Sequence, residues 1–389
     1  MSRKTKQKRD LRVFTTTNAP WSTSGYGNQA RMMLDMWKQE GWKNLGMLDF
    51  FGLEGGIIEM DGVKHFPKLN APYGDDIVVG HADYFKADIT ITLQDIWVLN
   101  PDILKAMKRW IPYVPIDHDP ITPAVLERLK FANRIITYSK FGQNELRRNG
   151  MHSTYIPHTV DTDMFKPMDK NEMRDKFHLP KDKFIFGMVG ANKDNPPRKS
   201  FQEAIDAFFE FQKEVPESIL FFHNMPQQQG GFPILDYAKF LGIQDKIYYF
   251  PPYQQMFGMK EKGIAELMNT FDCLLSPSTN EGFGVPIIEA ESCGVPVIVN
   301  NFTAMPELIV EGMSGYSCDV ASKRFSPLLS YVAIPSVPSL LEKMKLVYNA
   351  DRKKMGEVGR DHVLKNYSLK VVAPLWTQFF EKLQNEIYI

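Results

Sequence analysis

The chain has 389 residues, and its 46 basic side chains balance 46 acidic ones, so the formal net charge is zero. This length predicts two large domains or three small ones, and a hydrophobic content of 43% is enough to fill their cores. The composition excludes disorder over the bulk of the chain, because disordered segments lack the apolar content that offsets ordering entropy. The neutral balance also argues against a nucleic-acid-binding protein, which normally carries a strongly basic surface.

One local charge excess lies at the start, where five basic residues precede the first acidic one: Arg3, Lys4, Lys6, Lys8 and Arg9. The apolar segment of a secretory signal does not follow them, and no run approaches the ~18 apolar residues of a membrane span. Three scattered cysteines indicate neither a disulfide framework nor a zinc site, so a reducing cytoplasm is the expected compartment. We favour a solvated terminus for residues 3–9, with a weak peripheral contact to an anionic membrane as the alternative.

Short β-rich runs alternate with helical windows over the first 160 residues. Strands are predicted at Leu11–Thr17, Leu45–Phe51, Ile89–Leu93, Ile111–Ile116, Arg134–Tyr138 and Thr154–Ile156. Helices are predicted between them at Asn28–Glu40, Pro101–Arg109, Pro123–Phe131 and Lys140–Arg148. This order predicts an α/β fold with a doubly wound sheet of parallel strands joined by right-handed crossovers. Ligands are expected at the carboxyl ends of those strands.

The alternation starts afresh after a break that contains prolines. A short helix is predicted at Asn171–Phe177, and strands at Phe184–Val189, Ile219–Phe222, Ile247–Phe250, Phe271–Leu275 and Val295–Asn300. We therefore expect a first domain over residues 1–165, a linker over 166–179 and a second α/β domain over 180–367.

Two segments near the end of the chain have different patterns. Residues 321–338 contain three prolines and several serines, so they are predicted to form a long loop; a flap beside the ligand is one role open to it. Leu369–Leu383 has apolar residues at helical spacing, with Pro374 close enough to the start to be tolerated in the first turn.

The most informative stretch for function is Ser276–Glu307. Glu281 and Glu289 are separated by seven residues, and between them lie Gly282, Phe283 and Gly284. A proline and a glycine that are typical of a helix start and a helix end place Glu281 in a loop and Glu289 about one turn into the helix. Glycines and a helix N-terminus favour a phosphate, while carboxylates bind hydroxyls well. The stretch therefore favours a sugar nucleotide.

This stretch resembles the E-x7-E motif of the retaining nucleotide-sugar glycosyltransferases of family 4, which have the two-domain GT-B fold. Two glutamates eight residues apart are by themselves common on helices, but the G-F-G sequence, the preceding Pro277-Ser278 and the trailing G-V-P-V-I strand make the resemblance specific. It is close over about residues 180–320 and looser over the first 160. It implies two Rossmann-like domains facing a cleft, with the helix of residues 368–389 packing back on the first domain.

A second matching segment follows the first strand of the second domain and contains Lys193, Arg198 and Lys199. The resemblance implies a basic pair at the donor diphosphate, and neighbouring cations can neutralise such a leaving group. The family often has an arginine directly after the glycine, where this chain has Ala191. Lys193 or Arg198 could supply that charge, so Lys199 is the firmer assignment. A solvated basic loop is the structural alternative.

His118 ends a predicted strand within the sequence Asp117-His118-Asp119. The family commonly has a histidine here that contacts the transferred sugar, which implies this role for His118; the alternative is a structural histidine bonded by its neighbouring aspartates. D-x-D is also a metal-binding pattern of another glycosyltransferase fold, but Asp161-Thr162-Asp163 matches it equally in the linker. Because basic residues already serve the diphosphate, we expect no catalytic metal and no other cofactor.

The segment GYGNQA, residues 25–30, fits two interpretations. It satisfies the dinucleotide-binding pattern G-x-G-x-x-G/A, with Asp49 about 20 residues further on. In that pattern the glycines follow the first strand directly, whereas here Asn18–Ser24 intervene. We favour the interpretation that the resemblance implies, in which Gly25 and Gly27 open a helix at the cleft and contact the diphosphate or the acceptor.

Together these features predict transfer of a sugar from a nucleotide-diphosphate sugar to an acceptor hydroxyl without a metal, and the resemblance implies retention of configuration. In the implied scheme the diphosphate is held by Arg198 and Lys199, the sugar by Glu281, His118 and the amides of 282–284, and the ribose by Glu289. The donor is a UDP-, GDP- or ADP-sugar, with base contacts expected from Phe250–Gly258.

The acceptor stays open between a glycan, a lipid, a protein and a small molecule. Trp21 and Tyr26 are candidates for stacking on an acceptor sugar. Two other functional classes also stay open: a nucleotide-sugar-binding module without transfer activity, and an epimerase or phosphorylase with the same fold.

Overall fold

The computed structural model describes residues 9–256 and 258–388. Its parallel strands form two sheets, the first ending at Tyr155 and the second beginning at Phe184, with helices around each sheet. The predicted α/β class is therefore confirmed. Of the basic residues 3–9, all but Arg9 lie outside the described residues.

The first sheet has eight strands, most of them parallel. They are β1 (Val13–Asn18), β2 (Leu45–Phe51), β3 (Ile58–Met60), β4 (Val63–Pro67), β5 (Ile89–Leu93), β6 (Trp110–Val114), β7 (Ile136–Thr137) and β8 (Thr154–Tyr155). Their order is β3-β4-β2-β1-β5-β6-β7-β8, and only the outermost pair, β3 and β4, is antiparallel. The helices are α1 (Gly25–Gln39), α2 (Val78–Phe85), α3 (Pro101–Ala106), α4 (Pro123–Leu129) and α5 (Lys140–Arg148). The prediction missed β3, β4 and α2.

The second sheet has the order β11-β10-β9-β12-β13-β14, and all its pairs are parallel. Its strands are β9 (Phe184–Val189), β10 (Ser218–His223), β11 (Ile247–Tyr249), β12 (Cys273–Ser276), β13 (Val297–Asn300) and β14 (Gly315–Cys318). The helices are α6 (Lys170–Lys176), α7 (Phe201–Glu214), α8 (Ile234–Phe240), α9 (Pro252–Met256), α10 (Glu261–Met268), α11 (Val285–Ser292), α12 (Val337–Asn349), α13 (Arg352–Asn366) and α14 (Leu369–Tyr388). The five strands predicted here are all present, with ends shifted by at most two residues.

The prediction of a long loop over residues 321–338 is wrong. This segment forms an antiparallel hairpin of β15 (Val320–Ser326) and β16 (Ser330–Pro335). Its three prolines lie in the turn, at the end of β16 and in the first turn of α12, so none interrupts the ladder. The hairpin joins the two halves of the protein, because Lys323 Nζ lies 2.8 Å from Asp119 Oδ2 and the Ala333 N–H donates to the Thr279 carbonyl at 2.9 Å.

The last helix, α14, returns to the first sheet. The Trp376 ring is buried between Trp37 of α1 and Tyr113 of β6, with centroid distances of 5.1 and 5.2 Å. Pro374 lies inside this helix as its sixth residue and not in its first turn, so that part of the prediction is wrong. Among the described residues, no helix combines the length and apolar character that crossing a membrane requires.

Arg9 belongs to the same junction. Its guanidinium lies 3.0 Å from a Glu381 oxygen and 3.5 Å from a Glu40 oxygen, and it stacks over Trp42. This member of the basic start of the chain is therefore paired within the fold.

We predict that Trp376→Ala destabilises the protein by about 3–5 kcal/mol, because it opens a large cavity between α14, α1 and β6. The measurement is the free energy of unfolding from urea titration, followed by far-ultraviolet circular dichroism. Gln378→Ala, at an exposed position of the same helix, is the control and should change stability by less than about 0.5 kcal/mol. Equal effects of the two substitutions would contradict the packing described here.

Candidate active site between the two sheets

The loop that carries Glu281 connects β12 to α11 at the carboxyl edge of the second sheet. Its last residue, Gly284, has φ +115°, a left-handed conformation that favours glycine, and α11 begins directly after it. Thr303 fixes the Glu281 backbone: its hydroxyl donates to the Glu281 carbonyl at 2.9 Å and accepts from the Glu281 N–H at 3.2 Å. Glu281 is therefore held by its backbone as well as by its side chain.

The Glu281 carboxylate is surrounded by cations. Lys199 Nζ lies 2.5 Å from Oε1 and Arg198 Nη1 lies 2.8 Å from Oε2. Ser278 Oγ donates to Oε1 at 2.8 Å. Burial alone would raise the pKa of Glu281, but Arg198 and Lys199 outweigh burial and lower that pKa to about 2. The sequence assigned these three residues to one site, and the structure brings them into direct contact as an ion triad of Glu281, Arg198 and Lys199.

Lys199 reaches Glu281 from the loop after β9. A Cβ on Gly190 would lie 2.9 Å from Lys199 Cε, so glycine leaves the space that the lysine chain occupies. Burial lowers the pKa of Lys199, and the Glu281 charge opposes that shift. Lys193 lies exposed in the same loop. The side chain of the preceding residue, Asn192, donates to the Phe232 carbonyl and accepts from the Phe232 N–H.

The His118 loop faces this triad from the first sheet. His118 Nδ1 lies 2.7 Å from Asp117 Oδ1, and the other Asp117 oxygen accepts from Asn280 Nδ2 at 2.9 Å. Asn280 directly precedes Glu281, so the bond between Asp117 and Asn280 joins the two predicted halves of the site. The His118 ring is therefore bonded by its neighbouring aspartate, and through Asp117 it is linked to the loop that carries Glu281.

The D-x-D pattern has a different use in this structure. Asp117 is engaged with His118 and Asn280, and Asp119 pairs with Lys323 of the hairpin. In the second match, Asp161 accepts backbone N–H groups of its own turn. Within residues 9–256 and 258–388, no three His, Cys, Asp or Glu side chains converge as a metal site would require.

Gly282 and Phe283 have packing functions that the sequence did not indicate. A Cβ on Gly282 would lie 2.9 Å from Pro115 Cβ, so this glycine permits the two halves of the protein to touch. Phe283 was predicted in the donor-binding group, but its ring is 3% exposed and packs against His158 at 5.3 Å. The side chain therefore faces the core, while the predicted contact of this residue with the sugar, which is made by its backbone amide, stays a prediction. Burial lowers the pKa of His158 to about 3, as expected for a neutral structural histidine.

Glu289 lies in α11, and its environment is the opposite of that of Glu281. Its side chain is 8% exposed and has no hydrogen-bond or ion-pair partner among the described residues. Burial, and secondarily the charge of Glu261, raise the pKa of Glu289 to about 8. An unpartnered buried carboxyl group of this kind is available to hydroxyl donors of a ligand.

The glycines at the start of α1 do not support a dinucleotide site. Ser24 caps the helix by accepting from the Gly27 N–H at 3.0 Å, and a Cβ on Gly27 would lie 2.2 Å from Ser22 Oγ. Gly25 has open space around its Cβ position. Asp49, which a dinucleotide pattern requires at the ribose, is 0% exposed and lies 2.7 Å from His65 Nδ1. The carboxylate is therefore not available to a ribose.

Sequence reasoning missed Asp95, which follows β5 at the carboxyl edge of the first sheet. Burial first, and then the charge of Asp117, raise the pKa of Asp95 to about 6. Charge interactions with Arg198, Lys193 and His118 oppose this rise in the pKa. The Asp95 carboxyl group therefore interacts with charged residues of both halves of the protein. The signal was present, because a carboxylate directly after a buried strand is expected at a ligand-binding edge.

Asn224 was also missed, at the corresponding edge of the second sheet after β10. The side chain is 6% exposed, and neither its Nδ2 nor its Oδ1 has a partner within the described part of the chain. His223 Nδ1 is likewise buried without a partner, and burial lowers the pKa of His223 to about 4. The loop from Phe250, predicted to contact the base, lies beside this pair, with the His223 and Phe250 rings 6.0 Å apart. Residue 257 of that loop lies outside the described residues.

Comparison with known proteins matches residues 169–326 to the family described as Glycosyl transferases group 1. N-acetyl-alpha-D-glucosaminyl L-malate synthase of Bacillus anthracis is 30% identical over 189 residues, which are 48% of this chain and 44% of that protein. The match therefore spans less than half of that relative's length.

Two solved structures have the same fold over nearly the whole chain. Sucrose-phosphate synthase from Thermosynechococcus elongatus superposes with a TM-score of 0.76 at 16% identity, covering 97% of this chain and all of that one. HepE of Anabaena, solved in complex with UDP and glucose, superposes with a TM-score of 0.68 at 15% identity, covering 96% and 99%.

The two facing parallel sheets are thus those of the GT-B fold, and residues 169–326 of the second sheet region match the family described as Glycosyl transferases group 1.

Proposed function

We propose that this protein is a retaining glycosyltransferase that moves a sugar from a nucleoside-diphosphate sugar to an acceptor hydroxyl. The observation that carries the proposal is the ion triad of Glu281, Arg198 and Lys199, held against the His118 loop by the bond between Asp117 and Asn280. The match of residues 169–326 to the family described as Glycosyl transferases group 1 supports the reaction class. The complexes of HepE with UDP and with UDP-glucose support a nucleotide-sugar donor.

The donor would lie along the carboxyl edge of the second sheet. Its diphosphate is assigned to Lys199 and Arg198. Glu281, which pairs with both cations, would exchange one of these contacts for a hydrogen bond from a sugar hydroxyl. Its ribose hydroxyls are assigned to Glu289, which has no side-chain partner in the described part of the chain. Its base is assigned to the edge of β10, where both amide atoms of Asn224 are buried and have no partner among the same described residues.

The transfer step breaks the bond between the anomeric carbon and the diphosphate oxygen, and the electron pair stays on the diphosphate. The acceptor oxygen forms the new bond to the anomeric carbon on the same face, which retains the configuration. The acceptor's hydroxyl proton passes to the departing diphosphate oxygen. Arg198 and Lys199 stabilise the charge that develops there, while Glu281 and His118 orient the sugar. The scheme uses no metal and no further cofactor.

We predict that Lys199→Ala and Glu281→Gln each lower acceptor-independent hydrolysis of the labelled donor by about 10²-fold or more, because each removes charge stabilisation or positioning at the leaving group. The measurement is release of labelled sugar from the best substrate among UDP-, GDP- and ADP-glucose. Products formed with and without an acceptor mixture also separate transfer from epimerisation and from binding alone.

The matched controls are Lys213→Ala and Glu210→Gln, an ion pair on the exposed side of α7 with a distance of 2.7 Å. They should hydrolyse the donor at the parent rate. If Lys199→Ala and Glu281→Gln, with unchanged thermal unfolding midpoints, also work at the parent rate, the assignment of the site is wrong.

We predict that donor affinity rises with pH up to about 8, by up to tenfold per pH unit. Because the pKa of Glu289 is about 8 in the free protein, the carboxylate that would accept ribose hydroxyls is mostly protonated at lower pH. The measurement is calorimetric titration with the best nucleotide sugar from pH 6 to pH 8.5. Glu289→Gln should bind more weakly and show a flat profile.

Thermal unfolding of the same two proteins gives an independent check on Glu289. A carboxyl group whose folded pKa is raised contributes stability at low pH that is lost as pH rises through the folded value. Glu289→Gln should therefore unfold a few degrees above the parent at pH 8.5, with a smaller difference at pH 6. Parallel profiles would show that Glu289 does not titrate in this range.

A further inference from the structure

The loops at the carboxyl edge of the first sheet share one property, which is exposed apolar surface. They follow β4, β2, β1 and β5, which are neighbours in the sheet in this order. The exposed side chains are Trp21 (40%), Phe51 (60%), Leu69 (58%), Tyr73 (39%) and Trp97 (40%). We call this set the aromatic rim.

Contacts between these loops give the aromatic rim a fixed shape. Trp21 Nε1 donates to the Gly52 carbonyl at 2.7 Å, which joins the loops after β1 and β2. The Tyr73 ring packs on Phe50 at 5.7 Å, and the Asn100 N–H donates to Asp75 at 3.3 Å, which joins the loops after β4 and β5.

Trp21 is also supported from below. Its ring lies 5.0 Å from that of His65, which is itself held by Asp49 at 2.7 Å in the buried sheet. Because the indole N–H is already used by Gly52, the part of Trp21 that faces solvent is apolar ring surface. A fixed aromatic face of this kind binds a flat apolar surface, such as the C–H face of a sugar ring.

The aromatic rim adjoins the proposed active site on two sides. Thr23, in the same loop as Trp21, approaches Gly258 of the second half closely enough that a Cβ there would lie 3.2 Å from Thr23 Cγ2. Trp97 lies two residues after Asp95, whose charge interacts with Asp117 and Arg198 in the cleft.

The loops of the aromatic rim carry more carboxylates than lysines, and this excess indicates the chemical class of the ligand. The loops after β2 and β4 contain three carboxylates, Glu54, Asp75 and Asp76, and one lysine, Lys68. A negative surface repels the head groups of an anionic membrane, whereas carboxylates accept hydrogen bonds from hydroxyls. Apolar faces together with carboxylates fit a ligand that is uncharged and rich in hydroxyls.

We propose that the aromatic rim is the acceptor subsite and that the acceptor is an uncharged carbohydrate, with one sugar ring stacked on Trp21. This inference rests on the proposed function, since it names the acceptor of the same reaction. Asp95 and Asp117 then face the acceptor's hydroxyls at the end of the subsite nearest the donor.

The test is binding of maltotetraose, cellotetraose and mannotetraose to the full chain in the presence of UDP, GDP or ADP, followed by saturation-transfer difference NMR. At least one tetrasaccharide should bind. Its affinity should fall about fivefold or more in Trp21→Ala and in Trp97→Ala, and be largely kept in Trp21→Phe, which retains an aromatic face. Phe240→Ala, an 82% exposed aromatic residue of α8 away from the rim, is the matched control and should bind as the parent does.

Three outcomes would overturn the inference. They are binding of none of the tetrasaccharides, binding that does not change in Trp21→Ala and Trp97→Ala, and Trp21-dependent sedimentation with phosphatidylglycerol vesicles in place of sugar binding. Nucleotide binding in the same samples keeps the two proposals apart. If a nucleoside diphosphate binds and the sugars do not, the acceptor inference fails alone; if no nucleotide binds, the proposed function fails.

Discussion

The position of Glu281 between Lys199 and Arg198 imposes the main constraint on the cleft. Taking these charges out of water is costly, and the cost is offset only when the ions are close and their remaining hydrogen-bonding capacity is used. Ser278 and Thr303 meet that condition at the side chain and the backbone of Glu281. Loss of Glu281 would leave Lys199 and Arg198 close together with no carboxylate between them, so the loops after β9, β12 and β13 depend on one another. The same dependence extends to the first sheet through the bond between Asn280 and Asp117.

The contacts of Glu281 with Lys199 and Arg198 also indicate how a donor diphosphate would bind in the proposed site. In the structure the two cations are already paired with Glu281, and burial lowers the pKa of Lys199. A diphosphate entering beside them adds negative charge, which favours the protonated lysine and draws the cations toward the leaving group. Glu281 is then released in part to accept sugar hydroxyls. In the proposed reaction the triad would therefore hold the cations in place before the donor arrives, which would leave little reorganisation for the transfer step.

Alternating β-rich and helical windows were enough to predict the two parallel sheets, because buried strands leave a strong apolar signal. The short edge strands β3 and β4 were missed since exposed residues, including Glu59 and Lys64, interrupt that signal. The hairpin was missed because its prolines suggested a loop, although each lies where a ladder tolerates it. Glu281, Lys199 and Arg198 could be named from their motifs, whereas the burial of the Phe283 ring against His158 could not, because a motif gives no direction for a side chain. Asp95 and Asn224 belong to no motif, and only the meeting of strand ends reveals them.

The two glutamates of the E-x7-E motif show how one sequence pattern yields two different groups. They are eight residues apart and equally buried, yet the pKa of Glu281 is lowered to about 2 and that of Glu289 is raised to about 8. The difference arises from the partners, because Lys199 and Arg198 contact Glu281, whereas no cation among the residues that the structure describes pairs with Glu289. Sites that need both a permanent charge and a switchable one are built in this way, with environments that push two like groups apart. In the proposed enzyme the charged Glu281 carboxylate positions the cations of the diphosphate site. Glu289 becomes charged when ribose hydroxyls stabilise its carboxylate.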